Sequence, residues 1–180
     1  MPLPTPAART HRHTRQVTCT GYQREDGLWD IEGHLVDTKA DEMPLSEFIL
    51  KAGDPLHDMA IRLTVDLDLN IHAVETTMDA TPYTMCPGIA PVYKQLEGES
   101  IRPGFTKKVR DLFGGIQGCT HLVELLGPVA TTAIQVTFQE RHRLAKSTAE
   151  SPVSAQLNSC HTYAEDSPVV EQYWPELYKG

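Results

Sequence analysis

The cleanest alternation of apolar and polar positions lies in HDMAIRLTVDLD, residues 57–68. Met59, Ile61, Leu63 and Val65 fall on one side of a period-2 pattern, and Asp58, Arg62, Thr64 and Asp66 on the other. Successive side chains of a strand point to opposite faces, so the stretch predicts a strand buried on one side. DLN (68–70) turns it, and IHAVETTMDA (71–80) returns as its hairpin partner. RQVTCTGYQ and LWDIEGHLVDT predict an earlier hairpin over residues 16–38, turning at REDG (24–27). Residues 39–55 are polar and broken by proline, and predict a loop with one short helical turn.

From residue 87 the period changes. Ile89, Val92, Tyr93 and Leu96 have helical spacing, with Pro87 suited to a first turn and Gly98 to a stop, predicting a helix over 87–98. Phe105, Val109, Leu112 and Phe113 predict a second over 105–115. THLVELLGPVATTAIQVTFQERHRL (120–144) predicts the longest, bent at Gly127-Pro128. Strands first and helices second predict an α+β domain, a small antiparallel sheet of two N-terminal hairpins packed against C-terminal helices. The domain organisation read from this is an extended arm over 1–15, a single α+β domain over 16–144, and a segment over 145–180 that docks on it.

Composition narrows the class. The chain has 180 residues, 40% hydrophobic and 22% charged, ordinary for a globular domain able to bury a core. A formal net charge of -8 argues against nucleic acid or an anionic membrane as partner. The basic run ARTHRHTRQ (8–16) reads as a solvated arm. With no bilayer-length apolar run and no apolar core of a secretion signal near the start, a cytoplasmic protein is expected. The sequence is compatible with a homo-oligomer. Four widely spaced cysteines, Cys19, Cys86, Cys119 and Cys160, predict free thiols rather than a disulfide scaffold.

Candidate chemistry centres on GGIQGCTHLVELL (114–126). Cys119 stands where a helix starts, an environment that favours thiolate, and His121 follows two residues on. Cys119 reads equally well as a buried packing cysteine. Glu124 shares a helical face with His121. Cys86 also precedes a helix, so Cys86 and Cys119, two thiolates with an imidazole nearby, are a candidate ligand set for Zn or Fe. His57 and Asp58 open the strongest strand, while His34 and Asp37 close the one before it. His34, His57, Asp58 and His121 are therefore the candidate acid–base residues. Tyr22, Trp29, Tyr83 and Tyr93 supply either an aromatic substrate wall or core. No phosphate-binding, dinucleotide-binding or G-x-S-x-G motif is present.

The runs DGLWDIEGHLVDTK (26–39), PLHDMAIRLTVD (55–66), DATPYTMCPGIAPVYKQLEGESI (79–101) and GCTHLVELLGPVATTAIQ (118–135) resemble a bacterial protein family of unknown function. That resemblance covers most of the chain. It implies an association with the breakdown of aromatic compounds, including lignin. Carbon–carbon lyases that release formaldehyde from lignin-derived aromatic dimers are the activity it implies. The hairpin leading to a cysteine at a helix start also resembles, in topology, iron–sulfur scaffold proteins of the NifU and IscU type. That second resemblance implies that Asp58, Cys86 and Cys119 converge, although a third cysteine of such scaffolds is missing and Gly118 precedes Cys119.

Two functions are thus expected from different classes. One is an enzyme on a small aromatic substrate, by acid–base or metal-assisted retro-aldol chemistry. The other is a metal-binding or sulfur-transfer protein.

Overall fold

The computed structural model describes residues 3–145, 153 and 156–180. It divides into two compact units, Met1–Val136 and Thr137–Gly180. The first holds a four-stranded antiparallel sheet in the order β1-β2-β5-β6, formed by His13–Gln23, Trp29–Lys39, Pro55–Val65 and Ile71–Ala80. A separate two-stranded ribbon, β3 (Met43–Pro44) with β4 (Ile49–Leu50), occupies the stretch expected to be loop. Downstream come a 3-10 segment Cys86–Leu96, helix α1 (Phe105–Phe113) and helix α2 (Thr120–Ala145). The fold is α+β, with the sheet packed against helices that follow it in the chain.

The alternation becomes burial. Trp29, Ile31, Leu35, Met59, Ile61, Leu63 and Val65 are all within 7% of full burial, and they share one core with Leu122, Leu125, Leu126 and Val129 of α2. Glycine lets the helix approach. A Cβ on Gly33 would fall inside the Val129 side chain and 3.0 Å from Leu125 Cγ. One on Gly21 would stand 2.8 Å from Val136. Both glycines are on the helix-facing side of their strands, so the sheet is thinned where α2 crosses it.

Two expectations change, and one long helix does not. The segment expected as an ordinary helix over 87–98 is 3-10 instead; Pro87 and Pro91 withhold two backbone donors, and a tighter, shorter-range pattern results. Helix α2 runs Thr120–Ala145 with Pro128 inside it, so the long helix expected over 120–144 is present. Strand β1 begins at His13, within the stretch read as an arm.

The second unit contains the end of α2, a 3-10 turn at His161–Tyr163, α3 (Pro168–Tyr173) and a final 3-10 turn at Pro175–Leu177. Ser167 caps α3, its hydroxyl accepting from the Val170 N–H at 3.2 Å. The start of the segment expected to dock, residues 146–152, lies outside the described residues. No helix among the described residues is long and apolar enough to cross a membrane.

Candidate functional site

Register builds the site. Arg15 on β1 is opposite Asp37 on β2, and Asp37 is opposite His57 on β5, so three polar residues form one row across three strands. They continue the face that elsewhere carries the core. A charged residue there needs partners, and Asp37, 1% exposed, has them. Arg15 grips both carboxylate oxygens, Nε donating to Oδ1 and Nη2 to Oδ2, each at 2.8 Å. His57 Nδ1 donates to Oδ2 at 3.0 Å. His13, two residues before Arg15 on the same face of β1, brings Nε2 to 3.3 Å from Oδ1.

Helix α2 closes the row from above. Tyr93, fully buried, holds the helix start with one hydroxyl: it accepts from the Cys119 N–H at 2.8 Å and donates to the Cys119 carbonyl at 3.0 Å. That carbonyl also accepts from the Val123 N–H, so Cys119 caps the helix rather than belonging to it. Its side chain is thereby free of the helical repeat, and Sγ reaches within 3.8 Å of His121 Nδ1 although the residues are only two apart. His121 Nε2 is 3.7 Å from Asp37 Oδ2. The His57 and His121 rings lie against each other, centroids 3.8 Å apart and planes tilted by 35°. One turn on, Glu124 accepts from Arg15 Nη1 at 2.7 Å, tying helix to edge strand. Glu124 also borders a shallow depression between α1 and α2 lined by Phe105, Val109, Val123 and Leu126.

The electrostatics follow from burial. Desolvation alone would raise the Asp37 carboxyl, but Arg15 and His57 outweigh it and hold the group below its usual range. Both imidazoles go down. Burial lowers His57, and His121 beside it adds to the effect against the pull of Asp37. Burial and the Arg15 charge lower His121. The result is one ionised carboxylate, one guanidinium and two neutral imidazoles in contact. His121, 22% exposed at its side chain, is the more open ring. A neutral His57 that donates from Nδ1 keeps its lone pair on Nε2, the arrangement of a general base held by a carboxylate.

The other residues singled out in the sequence lie elsewhere. His34 and Asp58 form their own pair, Nε2 donating to Oδ1 at 2.6 Å, but alternation puts them on the opposite face of the sheet from His57. The four acid–base candidates are therefore two pairs on two faces. Trp29 is core, and its indole N–H has no hydrogen-bond partner among the described residues. Tyr93 is core as well, its phenol pushed up to about 12 by burial. Tyr22 is exposed and belongs to the face of His34. Tyr83 is exposed in the turn before the 3-10 segment. None of the four aromatic residues is among the contacts of His57 or His121 given above. The ligand set Asp58, Cys86 and Cys119 is not brought together, because Asp58 faces away from α2. Among the described residues, the group whose ligand atoms converge is Asp37, His57 and His121, all within 4.8 Å.

Sequence reasoning passed over Arg15, placed in the arm, and treated Asp37 only as a strand-end carboxylate. A signal existed for this pair: the tight turn between Gln23 and Trp29 fixes the hairpin register, and that register sets Arg15 opposite Asp37. No such signal linked Asp37 to His57, because a long connection separates their strands.

No curated protein and no solved structure matches the chain, so the likeness to iron–sulfur scaffolds has no structural neighbour behind it. A family model does match. It covers residues 13–135, starting at the first residue of β1 and spanning Arg15, Asp37, His57 and His121. The chain belongs to the family described as protein of unknown function (DUF2889).

Proposed function

We propose that the protein is an acid–base enzyme of the lyase class, with His57 as the base, Asp37 as its anchor and Arg15 as the clamp on that anchor. The observation that carries this reading is the His57 Nδ1–Asp37 contact under the Arg15 grip, with the more open His121 ring beside it. A buried carboxylate fixed this way sets the imidazole tautomer and steadies the cation formed when Nε2 takes a proton.

The reaction proposed is the release of formaldehyde from a small aromatic substrate bearing a primary alcohol. His57 removes the hydroxyl proton, the oxygen pair becomes the carbonyl of formaldehyde, and the carbon–carbon bond pair passes to the leaving carbon. The proton then returns to that carbon. The leaving carbon must be conjugated to a group that holds the electron pair until the proton arrives, such as an aryl ring or carbonyl of a phenylpropanoid dimer. The aromatic assignment is the one implied by the resemblance of the sequence runs given above. The depression beside Glu124 suits an apolar ring. The acidic balance of the chain fits a small-molecule substrate in the cytoplasm better than nucleic acid or membrane.

Formaldehyde release from phenylpropanoid dimers with a free hydroxymethyl group tests the reading. His57→Gln and Asp37→Asn are expected to lower kcat about 100-fold or more. Wild-type protein that releases none, or a His57→Gln protein with an unchanged rate, would end it.

A further inference from the structure

We propose that Asp37, His57 and His121 also form a binding site for one divalent transition-metal ion of the zinc class, and that the ion switches the acid–base reaction off. The regulatory half rests on the functional reading above; the binding half does not.

Donor type and spacing carry the argument. Two imidazoles and a carboxylate suit a borderline ion far better than calcium or magnesium, which prefer all-oxygen sets. A tetrahedral ion with bonds of about 2.0–2.1 Å needs donors roughly 3.3–3.4 Å apart. Asp37 Oδ2 stands 3.0 Å from His57 Nδ1 and 3.7 Å from His121 Nε2, on either side of that value. All three ligand atoms lie within 4.8 Å of one another. They come from two adjacent strands and the first turn of a helix, so the set does not depend on a loop.

The surroundings orient these atoms as outer contacts orient ligands. Cys119 Sγ lies against His121 Nδ1, which leaves Nε2 directed at Asp37. Arg15 occupies one position on each carboxylate oxygen and keeps the group ionised, leaving Oδ2 a second lone pair. His13 and His121 are partly exposed, so the three ligand atoms are not sealed from solvent.

The switch follows from one proton. Binding at His57 Nδ1 sends the proton there to solvent, and Nε2 takes one up. The lone pair that would accept the substrate proton becomes an N–H. One ion thus turns the base into a donor with no change of fold.

The test uses the full-length, untagged protein after treatment with chelator. Titrated with Co(II), it is expected to bind one equivalent and develop the visible bands of a low-coordinate site, which Zn(II) then displaces. Asp37→Asn, His57→Gln and His121→Gln should each weaken Co(II) binding at least about tenfold. His34→Ala and Cys86→Ser should not. Paramagnetic shifts of the His57 and His121 ring protons in wild-type protein make the same assignment should a variant fail to fold. Absence of binding, or binding lost in Cys86→Ser instead, overturns the site. Formaldehyde release that requires the ion, rather than returning on its removal, overturns the switch. If no formaldehyde is released with or without the ion, the functional reading fails while binding at the three residues still supports the site.

Discussion

Arg15 and Asp37 meet across the β1–β2 ladder in a two-pronged ion pair whose carboxylate is buried and whose guanidinium lies half at the surface. The relationship is asymmetric. Removing the guanidinium strands a buried charge, whereas removing both groups does not. Arg15→Met is expected to destabilise the protein by about 3 kcal/mol in urea unfolding at neutral pH. The pair Arg15→Met with Asp37→Asn should recover a large part of that loss. If the two effects simply add, Arg15 is not the partner that keeps Asp37 tolerable in the core.

The paired imidazoles make stability depend on pH in a definite direction. Both are lowered in the fold from the ordinary 6.5, so the unfolded chain binds protons that the folded chain resists. Their contribution is complete above about pH 6.5 and is lost as pH falls through the unfolded value toward the folded ones. Asp37, held low, loses its contribution only further down, below the ordinary carboxylate value of 3.8. Urea midpoints in chelator should therefore drop between pH 7 and pH 5 in the wild type. The drop should be much smaller in a protein carrying both His57→Gln and His121→Gln, and an equal drop would refute the assignment.

Tyr93 ties this chemistry to the fold, since one hydroxyl serves both the N–H and the carbonyl of the residue that starts α2. Tyr93→Phe leaves the Cys119 N–H without that partner and is expected to cost roughly 1–3 kcal/mol. It should also reduce formaldehyde release, because His121 and Glu124 follow that helix start. Hydrogen exchange at Cys119 and Val123 faster than in the wild type, with β5 unchanged, is the signature to look for.

How far these relationships were legible depended on sequence distance. The strand faces were readable because Met59, Ile61, Leu63 and Val65 alternate without a break, and the structure buries all four. The Arg15–Asp37 pairing follows from a tight turn. The Asp37–His57 pairing spans the ribbon of β3 and β4, and His57 and His121 are joined only by packing. Nothing local encodes either of those contacts. Similar residue types at strand ends suggested one group of His34, His57 and Asp58, yet one position along a strand reverses the face. Placement at two helix starts also favoured cysteines as ligands, while the converging donors among the described residues are a carboxylate and two imidazoles.

The crossing of α2 over the sheet depends on missing side chains. Gly33 has α2 where its Cβ would be, so even Gly33→Ala must push Val129 or Leu125 aside. The expected loss is about 1–3 kcal/mol, as for other overpacked cores. Combining it with Val129→Ala should cost less than the two losses added, since the smaller side chain makes room for the new methyl. Strict additivity in urea unfolding would mean that the helix does not approach the strand at Gly33.

The sharpest discrimination comes from two histidine–aspartate pairs on the same two strands. His57–Asp37 lies under α2, while His34–Asp58 lies on the opposite face of the sheet, with His34 about half exposed. The second pair has the shorter hydrogen bond, 2.6 Å against 3.0 Å, so bond length alone would favour it as the catalytic one. Surroundings favour the first. Its carboxylate is buried and clamped by Arg15, and its ring is shielded and has a second imidazole against it; the exposed pair has water to compete with its contact. His34→Ala and Asp58→Asn are accordingly expected to leave formaldehyde release within about twofold of wild type, while His57→Gln removes most of it. Loss of activity in His34→Ala with the fold intact by circular dichroism would move the active site to the opposite face of the sheet.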